Sequence, residues 1–267
     1  MGDLDGLRAR LRGLGRVVVA FSGGADSALL AWVAHDTLGP DGATALTAVS
    51  PSLAPEERDD CEALAAEWGL SWRSVQTDEL ASPAYAANDG DRCYHCKSEL
   101  MRVAGPLAAE RAATVVLGVN LDDLGDHRPG QRAAAEGGAV FPLVEAGFTK
   151  ADVRETSRRL GLRTWDKPAA ACLASRVPYG TPVSLGVLDT VARAESALRA
   201  LGFRQLRVRH YGELARIELG PDEMDAAFLA RDDVVAAVQG AGYTYVTLDL
   251  EGFRSGNLNR ALPGGGR

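Results

Sequence analysis

A strand that leaves through Ser-Gly-Gly and re-enters as a helix through Asp-Ser limits what this chain can fold into. In VVVAFSGGADSALLAW, residues Val17 to Trp32, the apolar run Val17 to Ala20 reads as a short interior strand, and Ala28 to Ala34 reads as an apolar helix. The turn between them has no bulk. Gly23 and Gly24 can take positive φ and let a ligand approach the backbone. The N–H groups that open the next helix lack intrahelical acceptors, and that end favours an anion. Ser22 and Ser27 add hydroxyl donors. Asp26 is out of place in an anion site unless a magnesium ion stands between it and phosphates. A plain βα turn with Asp26 as N-cap would satisfy a lone Gly-Gly. The hexapeptide has to be weighed whole, and it carries neither G-x-x-x-x-G-K-[ST] nor G-x-G-x-x-G.

The rest of the first half repeats the strand–helix alternation. Strands are expected at 16–22, 43–50, 71–76 and 114–119, with helices at 26–38, 55–68, 95–111 and 149–160, the last opened by Thr149 and closed by Gly161. This order predicts an α/β class with a parallel, Rossmann-like sheet covered by helices on both faces. Ligands of such sheets sit at the carboxyl ends of strands, where the Ser22 turn and Asn120 both fall. From residue 181 the pattern changes. A long amphipathic helix, a hairpin around Tyr211-Gly212, a helical stretch and the strand YTYVTLDL make a small α+β block. The expected division is 1–180, 181–258 and a disordered tail, 259–267.

Composition narrows the class. The 267 residues are 46% hydrophobic with net charge -7. No apolar run approaches the roughly 20 residues of a membrane span, and the acidic balance argues against a nucleic-acid partner. MGDLDGLRARLRGLGR reads as a charged helix rather than a signal or transit peptide, so the cytoplasm is the expected compartment. In that reducing compartment Cys61, Cys93, Cys96 and Cys172 are not expected to form disulfides. Cys61 shares a helix face with Leu64 and Ala65 and reads as core packing.

Three further clusters carry chemistry. In GVNLDDLGDHRPG, Asp122, Asp123 and Asp126 crowd a loop after a strand and Arg128 follows. A surface loop is the plain reading; beside the Ser22 turn, carboxylates would hold magnesium and Arg128 would fork onto phosphate oxygens. In DRCYHCK, the Cys93–Cys96 spacing is open to zinc, redox or cluster chemistry. A closed zinc site would need two more ligands, and Cys172 supplies only one. In KPAAACLASRVPYG, Cys172 lies among small residues with Arg176 four positions on, close enough to favour a thiolate. Arg207 and Arg209 alternate onto one face of their strand, either as a solvated edge or as an anion fork.

The hexapeptide SGGADS resembles the pyrophosphate loop (PP-loop) of the N-type ATP pyrophosphatases, which cleave ATP to AMP and pyrophosphate. That loop followed by NDGDRCYHCK, GVNLDDLGDHRPG, PLVEAGFTKADVRETSRRLGL, CLASRVPYG and RVRHYGELARIEL is similar to the LarE family, over roughly residues 12 to 250. The resemblance implies an adenine nucleotide alpha hydrolase-like fold. It also implies ATP-dependent sulfur transfer to pyridinium-3,5-biscarboxylic acid mononucleotide, in making the nickel-pincer nucleotide cofactor. ATP would lie on Ser22, Gly23, Gly24, Asp26, Ser27 and Asn120, with Mg2+ at Asp26 and Asp123. The substrate would lie on Ser175, Arg176, Glu195, Arg207, Arg209 and Arg128, with Cys172, Asp26 and Arg176 catalytic. In the single-cysteine form of the family, the cysteine at the Cys172 position gives up its sulfur and becomes dehydroalanine. Cys93 and Cys96 depart from that form. They resemble the three-cysteine form, in which three thiolates hold a [4Fe-4S] cluster whose open iron carries a sulfide. The cluster is the preferred expectation, sacrificial Cys172 the second and structural zinc the third. A homo-hexamer is implied as well. A tRNA thiolase of the same superfamily and a silent adenine-nucleotide-binding module are the competing readings.

Overall fold

The residues Val17 to Val19 are fully buried because their strand has helices on both sides. The computed structural model describes residues 2–125, 129–168 and 171–254. In chain order these form α1 (Leu4–Leu14), β1 (Val17–Ala20), α2 (Ala25–Gly42), β2 (Ala43–Val49), α3 (Pro55–Trp68), β3 (Trp72–Gln76), α4 (Pro83–Ala86), α5 (Arg92–Glu110) and β4 (Thr114–Leu117). There follow α6 (Pro129–Glu136), α7 (Pro142–Glu145), α8 (Lys150–Arg159), α9 (Leu185–Ala200), β5 (Leu206–Tyr211), β6 (Leu214–Leu219), α10 (Met224–Leu229), α11 (Arg231–Gly240) and β7 (Tyr245–Leu248). Asp126, Arg128 and the expected tail at 259–267 lie outside the described residues. No described helix is long and apolar enough to cross a membrane.

The chain divides into two compact units. The first comprises Met1–Ser50, Pro55–Glu79 and Asp91–Ala170. Its sheet has the order β3-β2-β1-β4 and every pairing is parallel. Strand alternation sorts β1 between two cores. Val17 and Val19 pack with Leu7, Leu29, Leu64 and Val153, from α1, α2, α3 and α8. Val18 points the other way, among Met101, Ala104 and Ala134 of α5 and α6. The chain runs outward from β1 to β2 and β3, then returns to lay β4 on the other side of β1. The carboxyl ends of β1 and β4 therefore form the switch point at which such sheets bind ligands.

Local chemistry explains where elements begin and end. The helix after β1 reaches Gly42 but breaks at Gly39 (φ 72°), because Pro40 disfavours a helical residue before it. Thr149 caps α8 in a reciprocal capping box with Asp152. The helix expected from 95 starts earlier, at Arg92, which puts Cys93 and Cys96 within its first two turns. The sequence pattern did not foretell α6 or α7, both too short for a clear apolar period.

The second unit comprises Pro51–Ala54, Leu80–Gly90 and Ala171–Arg267. Its sheet has the order β5-β6-β7, with β5 and β6 antiparallel and β6 and β7 parallel. The crossover through α10 and α11 makes the parallel pairing reachable. Leu206, Val208, Ile217 and Leu219 form its core with Leu198 of α9 and Val238 of α11. Asn88, at φ 59° and fully buried, donates to the carbonyls of Pro178 (2.8 Å) and Thr181 (2.9 Å). It thereby ties the 80–90 segment to the stretch after Arg176.

Candidate active site

Within the first unit, the turn after β1 is closed on itself. Gly23 takes φ 69°, as expected, whereas Gly24 (φ -74°) is extended and serves as the N-cap of α2. Asp26 is inside the helix and not its cap. The Ser22 N–H donates to Ser27 Oγ (3.2 Å), the two hydroxyls are 3.1 Å apart, and Ser27 Oγ donates to the Gly24 carbonyl (3.1 Å). The floor of the turn is tight. A β-carbon at Gly23 would stand 3.0 Å from Cys61 Sγ, and one at Gly118 would stand 2.7 Å from the Ser27 backbone nitrogen. Gly118 is thus glycine because the end of β4 presses against the first turn of α2. Cys61 is fully buried, and burial pushes its thiol up to about 11, so it is an inert core residue.

Asp26 does not face solvent alone. Asn120 Nδ2 donates to its Oδ1 (3.0 Å), and the Lys150 ammonium is bonded to its Oδ2. The buried Asn120 uses its Oδ1 to accept from the Asp122 N–H (3.0 Å). Asp122 Oδ2 accepts from the Lys150 N–H (2.7 Å), and Asp123 Oδ2 accepts from the Asn120 N–H (3.1 Å). The loop carboxylates hold backbone in place here. As a magnesium site the donor set fits through Asp26, because that ion takes one or two carboxylates and completes its shell with water and phosphate. Lys150 was missed in the sequence. Its only signal was its position as the first residue of a capped helix, and nothing in that position says the side chain reaches Asp26.

In the second unit Cys172 opens a 3-10 turn, Leu173–Arg176. Arg176 is buried and its fork grips Glu195, with Nε to Oε1 at 2.8 Å and Nη2 to Oε2 at 2.9 Å. Its remaining nitrogen donates to the carbonyls of Ala171 and Cys172 and to Ser175 Oγ. Those contacts shape the turn and touch the Cys172 carbonyl. Glu195 also accepts from the Val208 N–H (3.0 Å) and from Arg199 (3.2 Å). Burial acts to raise its carboxyl, but the Arg176 fork overrides that and holds it below the usual range.

Arg207 and Arg209 share a face of β5, opposite Glu218 and Arg216. They are not a solvated edge. Arg209 is buried, bonded to the Ser175 carbonyl (2.8 Å) and Glu218 (2.7 Å). Burial first, and the nearby Arg176 next, pull Arg207 down to about 10. Cations pressed together this way gain from an added anion. Ser175, Arg176, Glu195, Arg207 and Arg209 are therefore brought together in one unit.

Cys93 and Cys96 stand one helical turn apart in the first unit, and Cys172 belongs to the second. None of the four cysteines is in a disulfide. Three thiolates are donors that suit an iron–sulfur cluster. Among the described residues, however, no three His, Cys, Asp or Glu side chains are gathered as a metal-holding group. His95 leans on Asp91 (3.4 Å).

A parallel sheet with a Ser-Gly-Gly-x-Asp-Ser turn at its switch point defines a PP-loop enzyme that uses ATP. Residues 6–102 match the family model described as NAD synthase. The chain is 40% identical over 257 residues, 96% of its length and 93% of the relative's, to the pyridinium-3,5-bisthiocarboxylic acid mononucleotide synthase of Lactiplantibacillus plantarum. It is 49% identical to an uncharacterized protein of Synechocystis, over 97% of both chains. An uncharacterized protein of Methanocaldococcus jannaschii is 25% identical over 90% of this chain and 91% of its own. The chain belongs to the LarE family, that of the pyridinium-3,5-bisthiocarboxylic acid mononucleotide synthase, and is an ATP-dependent sulfurtransferase.

Proposed function

We propose that the chain converts the carboxylates of pyridinium-3,5-biscarboxylic acid mononucleotide to thiocarboxylates, for a nickel-pincer nucleotide cofactor. What carries this reading is the 40% identity, over nearly the whole chain, to a synthase named for the bisthiocarboxylic product. A carboxylate is a poor electrophile. Its oxygen attacks the α-phosphorus of ATP, the P–O bond to pyrophosphate breaks, and an acyl-adenylate forms. A sulfur nucleophile then attacks the acyl carbon, and AMP leaves with the C–O electron pair.

The Ser22–Ser27 turn holds the pyrophosphate with its backbone N–H groups. Asp26 would hold Mg2+, which when bound would offset phosphate charge, and Lys150, now on Asp26, is within the same cluster to offset developing charge. Arg207 and Arg209 take the phosphate of the mononucleotide. Arg176 and Glu195 hold the turn that presents Cys172 and Ser175. Cys93, Cys96 and Cys172 would hold the cluster, which when bound supplies a place for donor sulfide. The experiment is an anaerobic reaction of the iron-loaded protein with ATP, Mg2+, sulfide and the biscarboxylic mononucleotide. Pyrophosphate and a thiocarboxylate product should appear together. Pyrophosphate without sulfur in the product would refute the transfer.

A further inference from the structure

We propose that Lys167 is a phosphate-positioning residue of the Ser22–Ser27 turn, an inference that rests on that turn being the ATP site. The Lys167 ammonium sits beside the turn: a β-carbon built on Gly23 would lie 3.6 Å from Nζ. Its side chain is only 18% exposed. Two of its three N–H donors are spent on α3, one on Glu57 Oε2 (2.8 Å) and one on Asp60 Oδ2 (2.6 Å). The third has no partner among the described residues.

The surroundings explain why an ammonium is needed there. Glu57 and Asp60 put two carboxylates next to a turn whose free N–H groups await a polyphosphate. Unscreened, they would repel it. Arg163 is bonded to Asp60 (2.7 Å) and Glu67 (2.8 Å), so it steadies α3 from the far side. Lys167 stands between the carboxylates and the turn. Burial works to lower its pKa, but the two carboxylates more than offset this, so the ammonium stays charged. A compact cation with one free donor beside a Gly-Gly turn is suited to a phosphate oxygen. A purely structural strap between α3 and the 163–167 turn would not need to lie against Gly23.

Calorimetry with Mg-ATP, inorganic pyrophosphate and AMP separates these roles without the second substrate. Lys167→Met should weaken ATP and pyrophosphate binding about tenfold or more, on the scale of a hydrogen bond to a charged group, while AMP binding stays near that of the parent. Lys167→Arg should recover most of the loss. Glu57→Gln and Asp60→Asn should bind ATP as tightly as the parent or more tightly, although each loosens the same contact to α3. The proposal is overturned if Lys167→Met binds ATP normally. It is equally overturned if AMP binding falls in parallel, or if the two carboxylate variants lose ATP binding as Lys167→Met does. A parent protein that binds no ATP overturns the assignment of the turn itself.

Discussion

Asp26 is where one residue decides most. It accepts from Asn120 and Lys150 in the present structure, and in the proposed reaction it is the carboxylate on the phosphate side of the turn. Asp26→Ala should abolish pyrophosphate release while the protein still folds, as read by circular dichroism, since the side chain lies outside both hydrophobic cores of its unit. Normal turnover in that variant would remove the PP-loop assignment. Arg207→Ala or Arg209→Ala should weaken mononucleotide binding by about 1.5–3 kcal/mol and change ATP affinity much less. Equal loss of both ligands in a titration would move these arginines to the nucleotide. The fork face was legible, because alternation along RVRHY puts both side chains on one side. The burial of Arg209 was not, since it depends on Ser175 and Glu218 arriving from distant parts of the chain.

Among the elements, α9 and β5 are joined by a carboxylate that no water reaches. Glu195 is fully buried between Arg176, Arg199 and the Val208 N–H. Removing one partner of a buried pair leaves an uncompensated charge, so Glu195→Gln should cost about 3–5 kcal/mol. The pH dependence has a definite sign. Because its folded pKa lies below the ordinary 4.5, Glu195 contributes stability that is present above 4.5 and lost as pH falls through the folded value. Chemical denaturation between pH 7 and pH 3 should show a decline at the acid end that is shallower in Glu195→Gln. A second test is at the end of β4. Gly118→Ala forces a methyl onto the α2 backbone and should destabilise by about 1–3 kcal/mol. It should also weaken ATP binding, because the atoms it displaces belong to Asp26 and Ser27. Unchanged ATP affinity in a folded Gly118→Ala would show that the turn tolerates the shift.

For the whole molecule the open chemical choice is the source of sulfur. With a cluster on Cys93, Cys96 and Cys172, anaerobic protein is brown, turns over repeatedly when sulfide is supplied, and loses iron when any of the three is replaced. With a sacrificial Cys172 the protein is colourless and makes at most one transfer. It then loses about 34 Da, the mass of hydrogen sulfide, as dehydroalanine forms, and Cys93→Ala and Cys96→Ala keep that single turnover. Mass spectrometry of the spent protein with an iron count decides between them.

The sequence by itself determined the alternation of strands and helices, the phosphate-ready turn and the order of motifs along the chain. These are local properties: apolar period, glycine at a turn, a capping Thr149 three residues before Asp152. The family likeness was legible for the same reason, since motifs are contiguous. The tertiary structure decided which groups meet. Lys150 reaches Asp26 across more than a hundred residues of chain, and Lys167 comes to rest beside Gly23. The 51–54 and 80–90 segments join the second unit, although the chain order sets them amid the first. None of this leaves a period or a spacing to read, because long-range contacts are set by how whole faces pack, and a charged side chain finds its partner only after the backbone has brought the two together.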